Sequence, residues 1–88
     1  MGETAVDSVH SPEYDELIKL LRRTREGTGV SQRELSRRLS KASSYVGKIE
    51  AGSRRLDIVE LVRLLKALDL DLTGFLNEYI KSLSPHLN

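Results

Sequence analysis

The 88-residue sequence contains no cysteine, so it can form neither a disulfide nor a thiolate metal site. A chain of this kind is typical of a reducing cytoplasm. No apolar run is long enough to span a bilayer, and residues 1–10 lack the basic start and apolar core of a secretion signal. We expect no membrane role and a single domain at residues 11–83, between a flexible tail at 1–10 and a C-terminal tail at 84–88.

Groups that carry catalysis or bind metals are also scarce. The sequence has only two histidines, His10 and His86, and each lies near a terminus. No pair of carboxylates is framed by apolar residues with a base nearby, and no His/Asp cluster has the spacing of metal ligands. Gly27 and Gly29 follow a predicted helix rather than a strand, which disfavours a phosphate-cradling loop. We therefore predict that the protein is not an enzyme and needs no metal or cofactor.

The net charge is only +1, but the charged residues are unevenly distributed. Between Arg33 and Arg55 there are seven basic and two acidic residues, a net charge of +5, whereas residues 1–32 and 56–88 each carry −2. A merely solvated surface more often intersperses the two signs. The concentration of positive charge in one segment favours a nucleic-acid-binding face.

The same segment has the pattern of two short helices around a tight turn. Ser31 followed by Glu34 is a capping box, which predicts a helix that begins at Gln32. Leu35 and Leu39 recur at i and i+4 on the buried side of that helix. Only two residues then precede the next apolar pattern, and helices joined so tightly must cross at a steep angle. This arrangement is a helix-turn-helix.

The second helix of the pair is predicted to begin near Ala42. Helical spacing places Ala42, Val46 and Ile49 on its buried side, with Tyr45 at the border. The outer side carries small, uncharged or cationic residues: Ser43, Ser44, Gly47, Lys48 and Ala51. Such residues allow a close approach to base edges and phosphates. Small residues on an exposed face can also have no function, and the outer side alone does not separate the two interpretations.

The run from Arg25 to Leu70 resembles the Xre/Cro-type helix-turn-helix regulators of bacteria and phages. The shared residues are Gly29, Ser31, Gln32, Glu34, Leu35, Val46, Lys48, Ile49, Glu50 and Gly52. The resemblance implies a five-helix, lambda-repressor-like domain whose second and third helices form the reading unit, and a protein that usually acts as a dimer. The sequence departs from the family at Ser40, where glycine is common, so Ser40 would have to tolerate a left-handed or strained backbone.

The candidate contacts with DNA follow from this placement. Ser43 and Ser44 are the first candidates for base contact, and Lys48 would read a base or clamp a phosphate. Gln32 would bind a phosphate together with its backbone N–H. The flanking backbone contacts are predicted from Arg33, Arg37, Lys41, Tyr45, Arg54 and Arg55. Most of the affinity should come from the cations and most of the specificity from the serines.

Arg25 and Glu50 occupy positions that, in proteins this sequence resembles, form a partly buried ion pair between the first helix and the recognition helix. The alternative is two unrelated surface charges. An acid one step from the DNA face would repel phosphate unless a partner neutralised it, which favours the pair.

Capping patterns and apolar stripes predict the remaining helices of an all-α domain. Ser11 caps the first helix, and Asp57 with Glu60 caps the fourth. The stripe of the first helix is Leu17, Ile18, Leu21 and Thr24. The stripe of the fourth helix is Ile58, Leu61, Val62, Leu65 and Leu68, widened by Val59 and Leu64.

The last helix, with Thr73 as its predicted cap, is more apolar than a lone terminal helix needs to be. We place Leu76 and Ile80 toward the core, which leaves three large side chains near the surface: Phe75, Tyr79 and Leu83. A contiguous exposed apolar patch suggests a partner, and a homodimer through this helix fits two-fold operator binding. The alternative is that the helix folds back and buries all three.

These observations predict a sequence-specific regulator of transcription that binds double-stranded DNA, a homodimeric repressor on an inverted-repeat operator. Its partners would be DNA and a second copy of the chain, and DNA binding would associate it with the nucleoid. A second hypothesis is an antitoxin that binds a partner toxin and regulates its own operon. The short tails favour the plain regulator, although the apolar last helix could serve either role.

Overall fold

A computed structural model describes residues 11–87, and within that range the chain forms five helices and no strand. The helices are α1 (Pro12–Thr28), α2 (Gln32–Arg38), α3 (Tyr45–Glu50), α4 (Ile58–Ala67) and α5 (Leu72–Leu87). The all-α, five-helix prediction is confirmed. The predicted tail at residues 1–10 lies outside the described residues, and α5 continues past residue 83 into the predicted C-terminal tail. No helix in the described range has the length and apolarity needed to cross a membrane.

Local capping starts α1, α2 and α4 where the sequence predicted. The Ser11 and Ser31 hydroxyls each accept a hydrogen bond from the backbone N–H three residues on, at 3.1 and 3.0 Å. At α4 the box is complete, because Asp57 accepts from the Glu60 N–H at 2.7 Å and the Glu60 carboxylate accepts from the Asp57 N–H at 3.0 Å. The box predicted for α2 is only half formed, since the Glu34 carboxylate binds two arginines instead.

The turn between α2 and α3 differs from the prediction at one end. Ser40 has a φ of 58°, the left-handed backbone that the sequence required of it. The recognition helix, however, begins at Tyr45 rather than near Ala42. The Tyr45 N–H donates to the Ala42 carbonyl at 2.9 Å, so the residues between them form a turn, and Ala42 is exposed rather than buried. The predicted start was wrong because helical spacing cannot separate a preceding turn from the first turn of a helix.

A buried serine joins the two helices of the reading unit. The Ser36 hydroxyl donates to the Gln32 carbonyl at 2.8 Å and accepts from the Val46 N–H at 3.1 Å. Ser44, the N-cap of α3, makes no capping bond through its side chain, so Ser36 supplies from α2 a partner that α3 lacks locally. A small residue at this position also lets α3 pass close to α2, with which it is in contact.

The apolar side chains of all five helices form one core, and α4 contributes its buried stripe through Leu61, Leu64, Leu65 and Leu68. The prediction placed Ile58 in this stripe, but its side chain is 58% exposed, and Val59 is exposed as well. Ile58 shares the face of Leu61 and Leu65. Its exposure therefore comes from its place in the first turn of α4, which extends beyond the core.

The prediction for α5 turned the wrong side of the helix toward the core. Phe75 is buried at 6% exposure, whereas Ile80 is 58% exposed. α5 packs on α1, and the Tyr79 hydroxyl donates to the Glu13 carbonyl at 2.7 Å, so the Phe75–Tyr79 edge is the one that faces α1. Leu76 and Leu83 are half-buried. Phe75 is thus a core residue and cannot be part of the exposed patch predicted for a dimer contact.

The start of α5 is also set by a different residue from the one predicted. The Asp71 carboxylate accepts a hydrogen bond from the Gly74 N–H at 3.0 Å, and the helix begins at Leu72. Thr73, the predicted cap, lies inside the first turn. The prediction of Thr73 was wrong, because Asp71 is the residue whose side chain has the capping geometry.

Candidate nucleic-acid interface

The base-contact candidates lie together at the start of α3. Ser43 and Ser44 occupy the turn before the helix and Lys48 lies one turn along it, and all three side chains are exposed. Within residues 11–83 none of the three makes a side-chain hydrogen bond or ion pair. The opposite side of α3 is anchored in the core by Val46 and Ile49. The outer side of α3 therefore combines a backbone held by the core with three side chains that no other described residue engages.

An open depression beside this surface gathers several of the predicted contacts. Its lining residues come from α2 with its N-cap and from the turn before α3: Ser31, Arg33, Glu34, Arg37, Lys41 and Ser43. Arg33, Arg37 and Lys41 are all exposed. The structure thus places these three residues, predicted to contact the DNA backbone, next to Ser43, predicted to contact a base. Glu34, which is acidic, lies among them.

That acid, Glu34, binds two arginines. Its carboxylate accepts from Arg37 at 2.7 and 2.9 Å and from Arg38 at 3.0 Å. The hydrogen bonds from Arg37, then from Arg38, lower the pKa of Glu34 to about 2. Arg38 also donates to the Ala67 carbonyl at 2.9 Å and so ties α2 to the end of α4. Arg37 faces solvent, but any phosphate that it contacts would have to compete with Glu34.

Replacing Glu34 with glutamine should strengthen binding to duplex DNA of any sequence. The change removes a negative charge from the basic face and frees the Arg37 guanidinium, so we expect a severalfold gain at low salt and a steeper decline of affinity with salt. Titration of a random-sequence duplex at several salt concentrations measures both. Glu78→Gln on α5, where the carboxylate is paired with Lys81, is the matched control. A gain of equal size in both variants would remove Glu34 from the interface.

The sequence predicted that Tyr45 would lie at the border of the buried side of α3, but it lies fully within that side. Its ring is buried at 8% exposure, so it is not placed to contact a phosphate directly. Burial is the main reason that the pKa of Tyr45 is raised, with the Glu60 carboxylate the next cause. The Lys41 ammonium lies 5.4 Å and the Arg54 guanidinium 5.0 Å from the centre of the ring. Tyr45 therefore supports predicted contacts rather than making one.

The loop after α3 carries the last two predicted contacts, Arg54 and Arg55. Arg54 forms an ion pair with Glu60 at 2.9 Å. Arg55 stacks over the Tyr14 ring at 5.7 Å, and the Tyr14 hydroxyl accepts from the Leu56 N–H at 3.0 Å. Both arginines are thus held against aromatic rings. No local sequence pattern indicated this role for Tyr14 or Glu60, because each contact joins residues from different elements.

Gln32 does not project freely from the start of α2. Its side-chain amide donates to the Glu50 carboxylate at 2.8 Å and lies across Gly47, whose added Cβ would approach the Gln32 Oε1 to 3.2 Å. Glycine at position 47 therefore leaves room for this bridge between α2 and α3. One amide N–H of Gln32 is engaged by Glu50, and its main-chain N–H stays at the start of the helix.

Arg25 and Glu50 are brought together in a two-pronged pair. Arg25 Nε donates to Glu50 Oε2 at 2.7 Å and Nη2 donates to Oε1 at 2.9 Å, while Nη1 donates to the Val30 carbonyl at 2.9 Å. The two side chains are only 9% and 2% exposed. The hydrogen bond with Glu50 raises the pKa of Arg25 further above its ordinary value. The charge of Glu50, next to the candidate DNA face, is therefore neutralised within the fold.

The described residues show no group of three or more His, Asp or Glu side chains that could hold a metal ion.

Comparison with known proteins finds a matching family and matching solved structures. Residues 16–74 match a family model described as a helix-turn-helix domain. The solved structure of an XRE-family like protein from Pseudomonas syringae pv. tomato str. DC3000 is 30% identical and superposes with a TM-score of 0.78, and the match covers 94% of this chain and 100% of that one. Among the curated proteins no match is found.

Proposed function

Because the chain belongs to the Xre family of helix-turn-helix DNA-binding regulators, we propose that it reads a specific double-stranded operator with the outer side of α3 and the turn before it. The observation that carries this proposal is the exposure of Ser43, Ser44 and Lys48, side by side and without partners among the described residues, on a helix anchored in the core. In a helix-turn-helix, the N-terminal end of the recognition helix meets the base edges. The two serines lie at that end of α3.

The cations around α3 would supply the sequence-independent part of the affinity. Arg33, Lys41 and Lys48 are exposed and suited to phosphate contact, and Arg37, Arg54 and Arg55 surround them. Each contact would release counterions from the duplex, so binding should weaken steeply with salt. Gln32 remains a candidate through its main-chain N–H, with its side chain held in place by Glu50.

We further propose that the regulator is a homodimer, a cytoplasmic repressor that binds an inverted repeat. Support for the dimer comes from exposed apolar residues, of which Ile80 on α5 is among the largest. The half-buried Leu76 and Leu83 flank Ile80 at helical spacing and extend the apolar surface, and Tyr79 borders it. A two-fold contact would present two α3 helices to two half-sites of one operator.

Ser44→Ala and Lys48→Ala should weaken DNA binding in two different ways. Loss of a base contact by Ser44 should cost about 1–3 kcal/mol on the preferred duplex and little on random DNA. Loss of a phosphate contact by Lys48 should cost affinity on both duplexes and reduce the slope of log K against log salt by about one. Ser82→Ala on α5, whose hydroxyl donates to the Tyr79 carbonyl, makes the same chemical change away from α3 and should bind as wild type.

An equal loss on both duplexes for Ser44→Ala would show that Ser44 does not read sequence. An unchanged salt slope for Lys48→Ala would remove Lys48 from the phosphate contacts. If both variants bound as wild type, α3 would not be the reading element.

A further inference from the structure

The buried ring of Tyr45 lies close to cationic side chains from both ends of the recognition helix. Lys41 precedes α3 and Arg54 follows it, yet the charged groups of both lie within 5.4 Å of the centre of the Tyr45 ring. This is inside the range, about 6 Å, at which a cation is attracted to an aromatic face. The three residues line one surface depression together with Ala42, Ser44 and Lys48.

Glu60 fixes one of the two cations from the other side. Its carboxylate binds the Arg54 guanidinium at 2.9 Å. Glu60 is itself fixed, because it forms the capping box at the start of α4. The position of Arg54 beside the Tyr45 ring therefore depends on α4 as well as on the loop after α3.

We propose that Tyr45 is a positioning residue that holds Lys41 and Arg54 as a preformed clamp for one DNA phosphate across α3. The proposal rests on the proposed function, since it assumes that these two cations contact the DNA backbone. Lysine and arginine side chains that are free in solution lose rotamer freedom when they bind, and this loss reduces affinity. Contact with the Tyr45 ring restricts the Lys41 and Arg54 side chains before DNA binds, so part of this loss has already occurred.

The clamp would also set the position of α3 in the groove. A phosphate held by a residue before the helix and a residue after it cannot shift along the helix axis without losing one contact. Ser44 lies in the same depression, so the distance from the held phosphate to the base-reading serine would be set by the fold.

A double-mutant cycle on duplex affinity tests the positioning role. In the wild-type background, Lys41→Ala should weaken binding roughly three- to tenfold, the range expected for a contact whose ordering is already complete. In a Tyr45→Leu background the same change should cost less than about twofold, because an unpositioned lysine contributes little. Arg33→Ala is the matched control. It removes a cation from the same face that has no contact with Tyr45, so its effect should be equal in both backgrounds.

Tyr45→Phe separates the ring from the hydroxyl. The ring alone attracts the cations, so this variant should bind within about twofold of wild type. In the free wild-type protein the ring should also shift the NMR signals of the Lys41 and Arg54 methylene protons upfield. This measurement needs no variant and holds even if Tyr45→Leu fails to fold.

Methylene signals at ordinary positions in the wild type would overturn the proposal, and so would a Lys41→Ala effect of equal size in both backgrounds, as a purely structural role of Tyr45 would give. Failure of the proposed function looks different. In that case Lys41→Ala and Arg54→Ala would leave the salt slope unchanged in the wild-type background, whatever the NMR signals show.

Discussion

Glu50→Ala should lower the free energy of unfolding by roughly 3–5 kcal/mol, the cost of leaving a buried arginine without its carboxylate. Arg25 is 9% exposed and directs three of its N–H groups inward, two to Glu50 and one to the Val30 carbonyl. The stability of a small domain is of the order of 5–15 kcal/mol in total. The change therefore removes a large share of it.

Thermal unfolding followed by circular dichroism measures the effect, and a fall in Tm of about 12 °C or more is expected for a domain of this size. Glu78→Ala is the matched control, because Glu78 forms an exposed pair with Lys81 at 3.6 Å. Exposed pairs contribute little, so this variant should melt within about 2 °C of wild type.

The paired replacement Arg25→Met with Glu50→Leu should recover much of the loss, since apolar residues of similar volume can replace a buried pair at little cost. A Glu50→Ala melt within a degree or two of wild type, or a double variant no more stable than the single one, would contradict the account of the pair.

If the proposed dimer forms through α5, Ile80→Asp should convert it into a folded monomer that loses most of its affinity for the operator. Ile80 is 58% exposed, so the substitution does not disturb the monomer core. A charge in the centre of an apolar contact is left without water or a partner, which opposes association. The two linked recognition helices of a dimer bind far more tightly than one, and this gain disappears in the monomer.

Sedimentation at micromolar concentration, together with operator titration, measures both effects. Lys81→Asp places the same side chain on the same helix, at an exposed position on the face opposite the Leu76, Ile80 and Leu83 surface, and should stay dimeric. If the Ile80→Asp variant remained a dimer, the two-fold contact would have to lie elsewhere. The next surface to test would then be the exposed Ile58 and Val59 at the start of α4. A wild-type monomer that binds one copy per site would reject the homodimer and leave the α5 surface for a different protein.

Features that depend on neighbouring residues were predicted from the sequence. The caps at Ser11, Ser31 and Asp57 each involve a hydroxyl or carboxylate and a backbone N–H three residues away, and all three are formed. The left-handed backbone at Ser40 was implied by the family resemblance, because glycine is common at that turn position, and it is present. Such local signals determine where most helices begin and how the reading unit is built.

Features that depend on which helix packs against a residue were not predicted from the sequence. The apolar stripe of α5 is wide, and only its packing on α1 shows that Phe75 is inside and Ile80 outside. Glu34 had the spacing of a capping box but binds Arg37 and Arg38, which give it stronger, charged hydrogen bonds. Tyr45 is buried at 8% exposure, whereas helical spacing placed it only at the border of the buried side.

Selection of binding sites from a pool of random duplexes tests most directly whether this chain reads a specific operator. We predict enrichment of an inverted repeat whose half-sites lie about 10–10.5 base pairs apart, one turn of the double helix, bound with steep salt dependence. The enriched base pair facing Ser44 should lose its preference in the Ser44→Ala protein, while the one facing Ser43 should keep it. A selected pool with no common motif, bound no more tightly than the starting pool, would contradict sequence-specific recognition by this fold.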